Sequence, residues 1–341
     1  PVRPAKRPGG PPFPLSRPLP QMTTPSPAAS SDATADAPPA TGVSYVHHDS
    51  VGAFLAGGQA VLARAPVALI MAEDAVEVAG TVAHHHRLGF RSIVLFAPAE
   101  LALPDLDALP SATQAVLHRV DHDTLHAQGL LRAVNPVIAA APEGAWIYYC
   151  YNAEYLFFPF CQTRDVGEML AFHAEERRSA MLTYVVDLYA GDLSRHPNAV
   201  APEEAYLDRA GYYALARPDP EQDGAPRERQ LDFYGGLRWR FEEHVPKARR
   251  KIDRIGLFRA ARGLTLRGNH TLSDEECNTY ACPWHHNLTA AICSFRTAKA
   301  LKTNPGSTFA VDTFWWHNSV RFEWNSQQLL DLGLMEPGQW F

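Results

Sequence analysis

Long apolar runs are what this sequence most lacks. No stretch approaches the roughly 18 residues that a bilayer-spanning helix needs, and the best window, Val67 to Ala72, has the length of a buried strand. Cysteine is scarce: five among 341 residues. An odd number without a disulfide-like spread excludes a small cystine-stapled fold and leads us to expect a reducing, cytoplasmic setting. Positive charge is not in excess either. The formal net charge is −6, whereas a dedicated nucleic-acid binder is usually basic overall, so no nucleic-acid partner is expected. No signal-peptide pattern is legible, and the acceptor-like triplets Asn269-His270-Thr271 and Asn287-Leu288-Thr289 are therefore discounted as glycosylation sites.

The remaining composition, 46% hydrophobic, suffices for one large domain with an extension. Residues 1–42 are rich in Pro, Ala, Ser and Thr and are expected to form a disordered extension, because they cannot bury enough apolar surface to offset ordering entropy. Residues 43–341 are expected to form the folded domain. From Val67 the chain alternates strand and helix. "VALIMA", "SIVLFA", "AVLHRVD" and "AWIYYCY" read as four strands. "EDAVEVAGTVAHHHRLGF" has helical spacing at Val76, Ala79, Val82 and Ala83, and stops near Gly89. "DTLHAQGLLRAVNPVIAAAPEG" predicts a helix capped by Asp123 or Thr124 and interrupted near Pro136. Such alternation means an α/β fold with a mainly parallel, Rossmann-like sheet flanked by helices. Ligands of such sheets sit at the carboxyl ends of the strands, which selects Glu73, Asp74, Glu100, Asp121 and the elbow Tyr151 to Glu154. Farther on, "TRDVGEMLAFHAEERR" predicts a helix and "SAMLTYVVDLYAGD" a strand. Residues 194–230 read as an insertion or long loop, and "LTAAICSFRTAKALK" as a late helix.

"VALIMAEDAVEVAGTVAHHHRLGFRSIVLF" resembles the opening of the family-2-like glycosyltransferases, and "AVNPVIAAAPEGAWIYYCYNAEYLFFP" resembles their next block. "YVVDLYAGD", "YGGLRWRFEE" and "ACPWHHNLTAA" resemble later ones, so the resemblance spans roughly residues 65–305. It implies a GT-A fold and transfer of a sugar from a nucleotide-sugar donor. It also implies that an acidic pair (Ala72-Glu73 or Glu73-Asp74) contacts the nucleotide. A His pair falls among His84, His85 and His86, three residues whose place in a last helical turn also suits a structural role. An Asp-x-Asp elbow would hold Mn²⁺ or Mg²⁺ on the diphosphate. Here that elbow is Tyr151, Asn152, Ala153, Glu154 and Tyr155. Tyr and Ala stand where the two metal-binding aspartates belong, and Ala97 replaces an acid often found after the second strand. Glu154 is the remaining candidate metal ligand, with Asn152 a possible amide donor, so the implied metal site is weakened or lost. Strand alternation groups Tyr149, Tyr151 and Ala153 on one face; a turn at Asn152 would bring Glu154 round to the pocket.

Fixed positive charge is a second way to stabilise a leaving diphosphate. The stretch 238–267 carries ten Lys and Arg against three acids. Arg238 and Arg240 are candidate donor-binding residues within it. The same stretch also fits a solvated basic helix face, or a surface that meets an anionic acceptor or membrane. "CNTYACPWHHN" offers Cys277, Cys282, His285 and His286. A zinc site and a structural turn are alternatives to the reading implied by the resemblance, in which His285 and His286 face the donor. An inverting transfer needs a carboxylate base. Of Asp187, Asp192, Asp232, Glu242 and Glu243, we select Asp232, whose neighbours Gly235 and Gly236 allow close approach of a ligand, and then Glu242. The expected function is transfer of a sugar from a nucleotide-sugar to a glycan, lipid or other acceptor, with little or no reliance on metal. The alternative is a protein of the same fold that has lost catalysis and serves as a binding or scaffolding partner.

Overall fold

The run Val67–Met71 is buried at every position, which only a strand covered on both faces can be. In the computed structural model, which describes residues 45–279 and 287–340, this run is the second strand. In chain order the elements are β1 (Val46–His48), α1 (Val51–Gly57), α2 (Gln59–Leu62), β2 (Val67–Met71), α3 (Val78–Arg87), β3 (Ser92–Ala97) and α4 (Ser111–Gln114). There follow β4 (Leu117–Asp121), α5 (Gly129–Ala140), β5 (Trp146–Tyr151), β6 (Glu154–Phe157), α6 (Val166–Glu175), β7 (Ala180–Ala190) and β8 (Ala205–Asp208). The last are β9 (Tyr213–Asp219), β10 (Ala225–Tyr234), α7 (Gly236–Arg240), β11 (Asp253–Arg259), β12 (Ala290–Ser294), α8 (Arg296–Thr303), β13 (Ser319–Arg321) and α9 (Ser326–Asp331).

The main sheet runs β1-β4-β3-β2-β5-β11-β7-β12-β6, with β8 added on β7 and β13 on β8. The first five strands are mutually parallel. β11 is antiparallel to both its neighbours, β12 is parallel to β7, and β6 is antiparallel to β12. The fold is therefore α/β with a mixed, mainly parallel sheet. Alternation along each strand sorts the core into two layers. Ala68, Ile70, Tyr148 and Cys150 pack with Val82 of α3 and Met169 of α6. Val67, Leu69, Ile147 and Tyr149 pack on the opposite face with Phe54 of α1 and Val134 and Val137 of α5. Each fully buried side chain of this size contributes about 1.5–3 kcal/mol. α6 starts at a capping box in which Asp165 accepts from the Glu168 N–H and Glu168 from the Asp165 N–H.

Four expectations are corrected. A strand, β1, precedes the first one read from the sequence and pairs at the edge with β4. α5 begins at Gly129 and runs through Pro136, because Asp123 is spent on the turn before it, accepting from the Leu125 and His126 N–H groups, and Thr124 donates to Ala72 O. The 194–230 segment is not a bare loop: it contains β8, β9 and most of β10, the last two forming a separate antiparallel ribbon. The "late helix" is a strand followed by a helix. Ala290–Ser294 is five residues long, wholly buried, and inserted between β7 and β6, and the helix begins only at Arg296. No helix among the described residues is long and apolar enough to cross a membrane. The expected disordered extension 1–42 lies outside the described residues.

Candidate functional site

The elbow does turn at Asn152. Ala153 adopts a left-handed backbone with φ 58°, and its N–H donates to Thr81 Oγ1 at 2.9 Å. Asn152 is fully buried and knots two strand ends together. Its Oδ1 accepts from the Glu73 N–H at 2.9 Å, and its Nδ2 donates to Asp74 Oδ1 and Val76 O, each at 2.8 Å. The turn does not bring Glu154 to a pocket. Glu154 points into the sheet interior, where Oε2 accepts from Arg254 Nη1 at 2.7 Å and the Tyr151 N–H at 2.9 Å. Its Oε1 accepts from Arg254 Nη2 at 3.2 Å and Ser294 Oγ at 3.0 Å. Burial alone would raise its pKa, but Arg254, Arg296 and these donors outweigh burial and hold the carboxyl down at about 2.

A cleft of about 530 Å³ opens above the elbow. Its walls are the loop after β2 (Glu73, Asp74), the start of α5 (Leu130, Leu131), the end of β5 (Tyr151), α7 (Arg238), the 244–254 segment, the turn at 268–270, and α8 with the residues after it. Its floor is strongly cationic. The Arg296 guanidinium lies 3.7 Å from the centre of the Tyr151 ring, and Arg254 lies 5.5 Å from it, so cation–π attraction adds to their fixation. Arg296 is also held in a bidentate pair with Glu73, at 2.7 Å to Oε2 and 2.6 Å to Oε1. Lys299 Nζ, one turn on, lies 2.6 Å from Asp74 Oδ2. Arg238 donates to Lys251 O and lies 3.6 Å from buried Asp187.

The structure thus gathers Glu73, Asp74, Tyr151 and Arg238 around one cleft, with Asn152 behind the wall as its fastener. Arg240 does not reach it; it pairs with buried Asp208 at 3.1 Å and stacks on Trp316. Asp232 is held by Arg217 at 2.8 Å and Lys251 at 3.1 Å and lies outside the lining. Glu242 also lies outside the lining, more than half exposed and paired with Arg250 at 2.8 Å. A different carboxylate, Asp253, does line the cleft. Burial raises its pKa, against the lowering by Lys251. His285, His286 and Cys282 lie outside the described residues. The triple histidine is structural: His84 Nε2 contacts Leu156 O, His85 Nδ1 contacts Thr81 O, and His86 Nδ1 contacts Thr113 Oγ1. Burial lowers the pKa of His84 to about 3 and of His85 to about 4.

The elbow does not fit a divalent ion. Hard cations need free oxygen donors, yet both Glu154 oxygens and the Asn152 oxygen are committed, and Ala153 offers none. Metal-ligand spacing does occur elsewhere among the described residues, at His47, Asp49 and Asp121, whose ligand atoms lie within 4.8 Å of one another. That group stands at the β1–β4 edge, outside the cleft lining, with Asp121 already bound to His47 at 2.9 Å. Sequence reasoning missed Arg296, Lys299 and His270. The first two share a helix face at i and i+3, a signal hidden by reading 288–302 as one helix. No protein-family model matches the chain, and no curated protein matches its sequence.

Proposed function

We propose that this protein is a glycosyltransferase-like enzyme of GT-A architecture. It binds the diphosphate of a nucleotide-sugar in the cleft at the strand ends and neutralises it with side chains rather than a divalent ion. The observation that carries this reading is the packing of Arg296 and Arg254 about Tyr151, at the position where the resemblance implies a metal-binding aspartate. A guanidinium supplies fixed positive charge and bidentate donors for phosphoryl oxygens. In a partly water-excluded cleft, charge that needs no reorganisation stabilises a leaving diphosphate strongly. The apolar wall at Leu130 and Leu131 suits a nucleoside, and the acceptor is a glycan, a lipid or another hydroxyl compound.

In this mechanism Glu73 and Asp74 hold Arg296 and Lys299 until the donor phosphates displace them. Asp253 is the lining carboxylate that can take the acceptor proton, and burial favours its protonated form. The test is calorimetric titration with nucleoside diphosphates and nucleotide-sugars, in EDTA and in Mn²⁺. The expected result is binding that survives EDTA. Failure of every nucleotide to bind overturns the reading.

The commitment of every lining carboxylate to a cation favours a second reading, a protein of the same fold that binds without turning over. Donor hydrolysis or transfer above background, lost in Asp253→Asn, excludes it. Nucleotide binding without turnover supports it.

A further inference from the structure

One histidine in the cleft wall is anchored at three points. His270 sits in the turn closed by the Leu266–Leu272 bridge and lines the cleft. Its backbone is left-handed, φ 65°, an uncommon state for a residue with a side chain. The backbone is pinned on both sides. The His270 N–H donates to Arg267 O at 3.0 Å, and its carbonyl accepts from the Ile255 N–H at 3.0 Å. That N–H faces outward where the β11–β7 register slips between Ile255 and Leu257. The imidazole stacks on Tyr149 with an interplanar angle of 13°, and its Nδ1 lies 3.0 Å from Tyr149 Oη.

The proton positions follow from satisfaction. Tyr149 is fully buried, and burial raises its pKa, so the hydroxyl keeps its proton and must place it on an acceptor. The acceptor in reach is His270 Nδ1. A proton on that nitrogen would leave the buried hydroxyl proton without one. The ring is therefore neutral with its proton on Nε2, and Nε2 is neither bonded to another of the described residues nor sealed from the cleft. We infer that His270 is a neutral hydrogen-bond donor to a phosphoryl oxygen of the cleft's ligand, with Tyr149 as the positioning residue that fixes its tautomer. The inference rests on the proposed anionic ligand. Around the ring stand Tyr149 from β5, Arg254 from β11, Lys251 before it, Arg238 from α7 and Arg296 from α8, and Tyr151 and Asp253 line the same cleft. Burial first, and then the four cations, push the imidazole pKa well below its usual value. A fifth positive charge is thus avoided while a directional donor remains.

Two measurements on the full chain test this. Long-range ¹H–¹⁵N correlation spectra, with the His270 signals assigned by their loss in His270→Gln, should show an Nε2–H tautomer that does not change from pH 5 to 8. Tyr149→Phe should mix the tautomers. An Nδ1–H tautomer, or protonation within that range, overturns the inference. In pyrophosphate titrations His270→Ala should weaken binding about ten-fold or more, and His270→Gln, which keeps an N–H donor, should recover part of it. Equal pyrophosphate affinity of wild type and His270→Ala overturns this inference alone. Absence of pyrophosphate and nucleotide binding in wild type overturns the proposed function with it.

Discussion

Two glutamate–arginine pairs lie on either side of the same tyrosine, and they do different work. Glu154–Arg254 is sealed, its side chains 0% and 2% exposed. Glu73–Arg296 has the same bidentate form and similar distances, but its side chains are 21% and 23% exposed. The first keeps its partner: Arg254 lies at the cleft floor, but both its terminal nitrogens are bonded to Glu154, so it acts on a ligand through its charge and does not exchange partners. The pair's charges offset one another's desolvation and hold β6 to β11. The second stands in the cleft wall, where water competes and an anion can take the arginine away. Burial, rather than the identity of the residues, separates a strut from a pair free to exchange partners.

The largest effect should come from breaking the sealed pair. Arg254→Met leaves an uncompensated buried carboxylate and should cost about 3–5 kcal/mol in urea denaturation; a loss below about 1 kcal/mol would erase the distinction between the pairs. Acid should reach the same strut. The Glu154 carboxyl titrates at about 2 in the folded protein against an ordinary 4.5. A depressed folded pKa gives stability that is present above about pH 4.5 and lost as pH falls toward 2, here about 3 kcal/mol. Thermal melts of wild type against Glu154→Gln from pH 6 to 2.5 should show a steeper acid loss in wild type. The exposed pair should answer in binding instead. Glu73→Gln releases Arg296 and should raise pyrophosphate affinity several-fold while changing stability by less than about 1 kcal/mol. Unchanged affinity would show that Glu73 does not compete with the ligand. Smallest of all is the surface pair Arg195–Glu204, in which Arg195 Nη1 alone reaches both carboxylate oxygens at 3.0 Å and the side chains are 62% and 40% exposed. Glu204→Gln should change the unfolding free energy in urea by no more than about 0.5 kcal/mol, and a larger change would break the ordering by burial.

The parallel half of the sheet was legible because β2, β3 and β5 are short apolar runs separated by turn residues, and two-sided burial demands that pattern. β12 has the same character but is followed after one residue by α8, so the two periods merge into what reads as one helix. The β9–β10 ribbon escaped because only one of its residues, Gln230, is buried, and without burial on one face no alternation is imposed. At the site, Glu73, Asp74 and Tyr151 could be read because strand ends in such sheets face ligands. Glu154 could not, since its partner Arg254 is 100 residues away and the direction taken after a turn is a tertiary matter. His270 lies in a turn with no periodicity, and its significance depends on a buried tyrosine 121 residues earlier.

Asn152 has a consequence for how this cleft can change over evolutionary time. Its amide holds the loop after β2 through the Glu73 N–H and Val76 O, that is, largely by main-chain groups. The side chain at 73 takes no part in that attachment. Substitution there can alter the charge of the cleft wall while the loop keeps its course, so ligand preference and folding can be selected separately. The buried fastener makes the exposed wall evolvable.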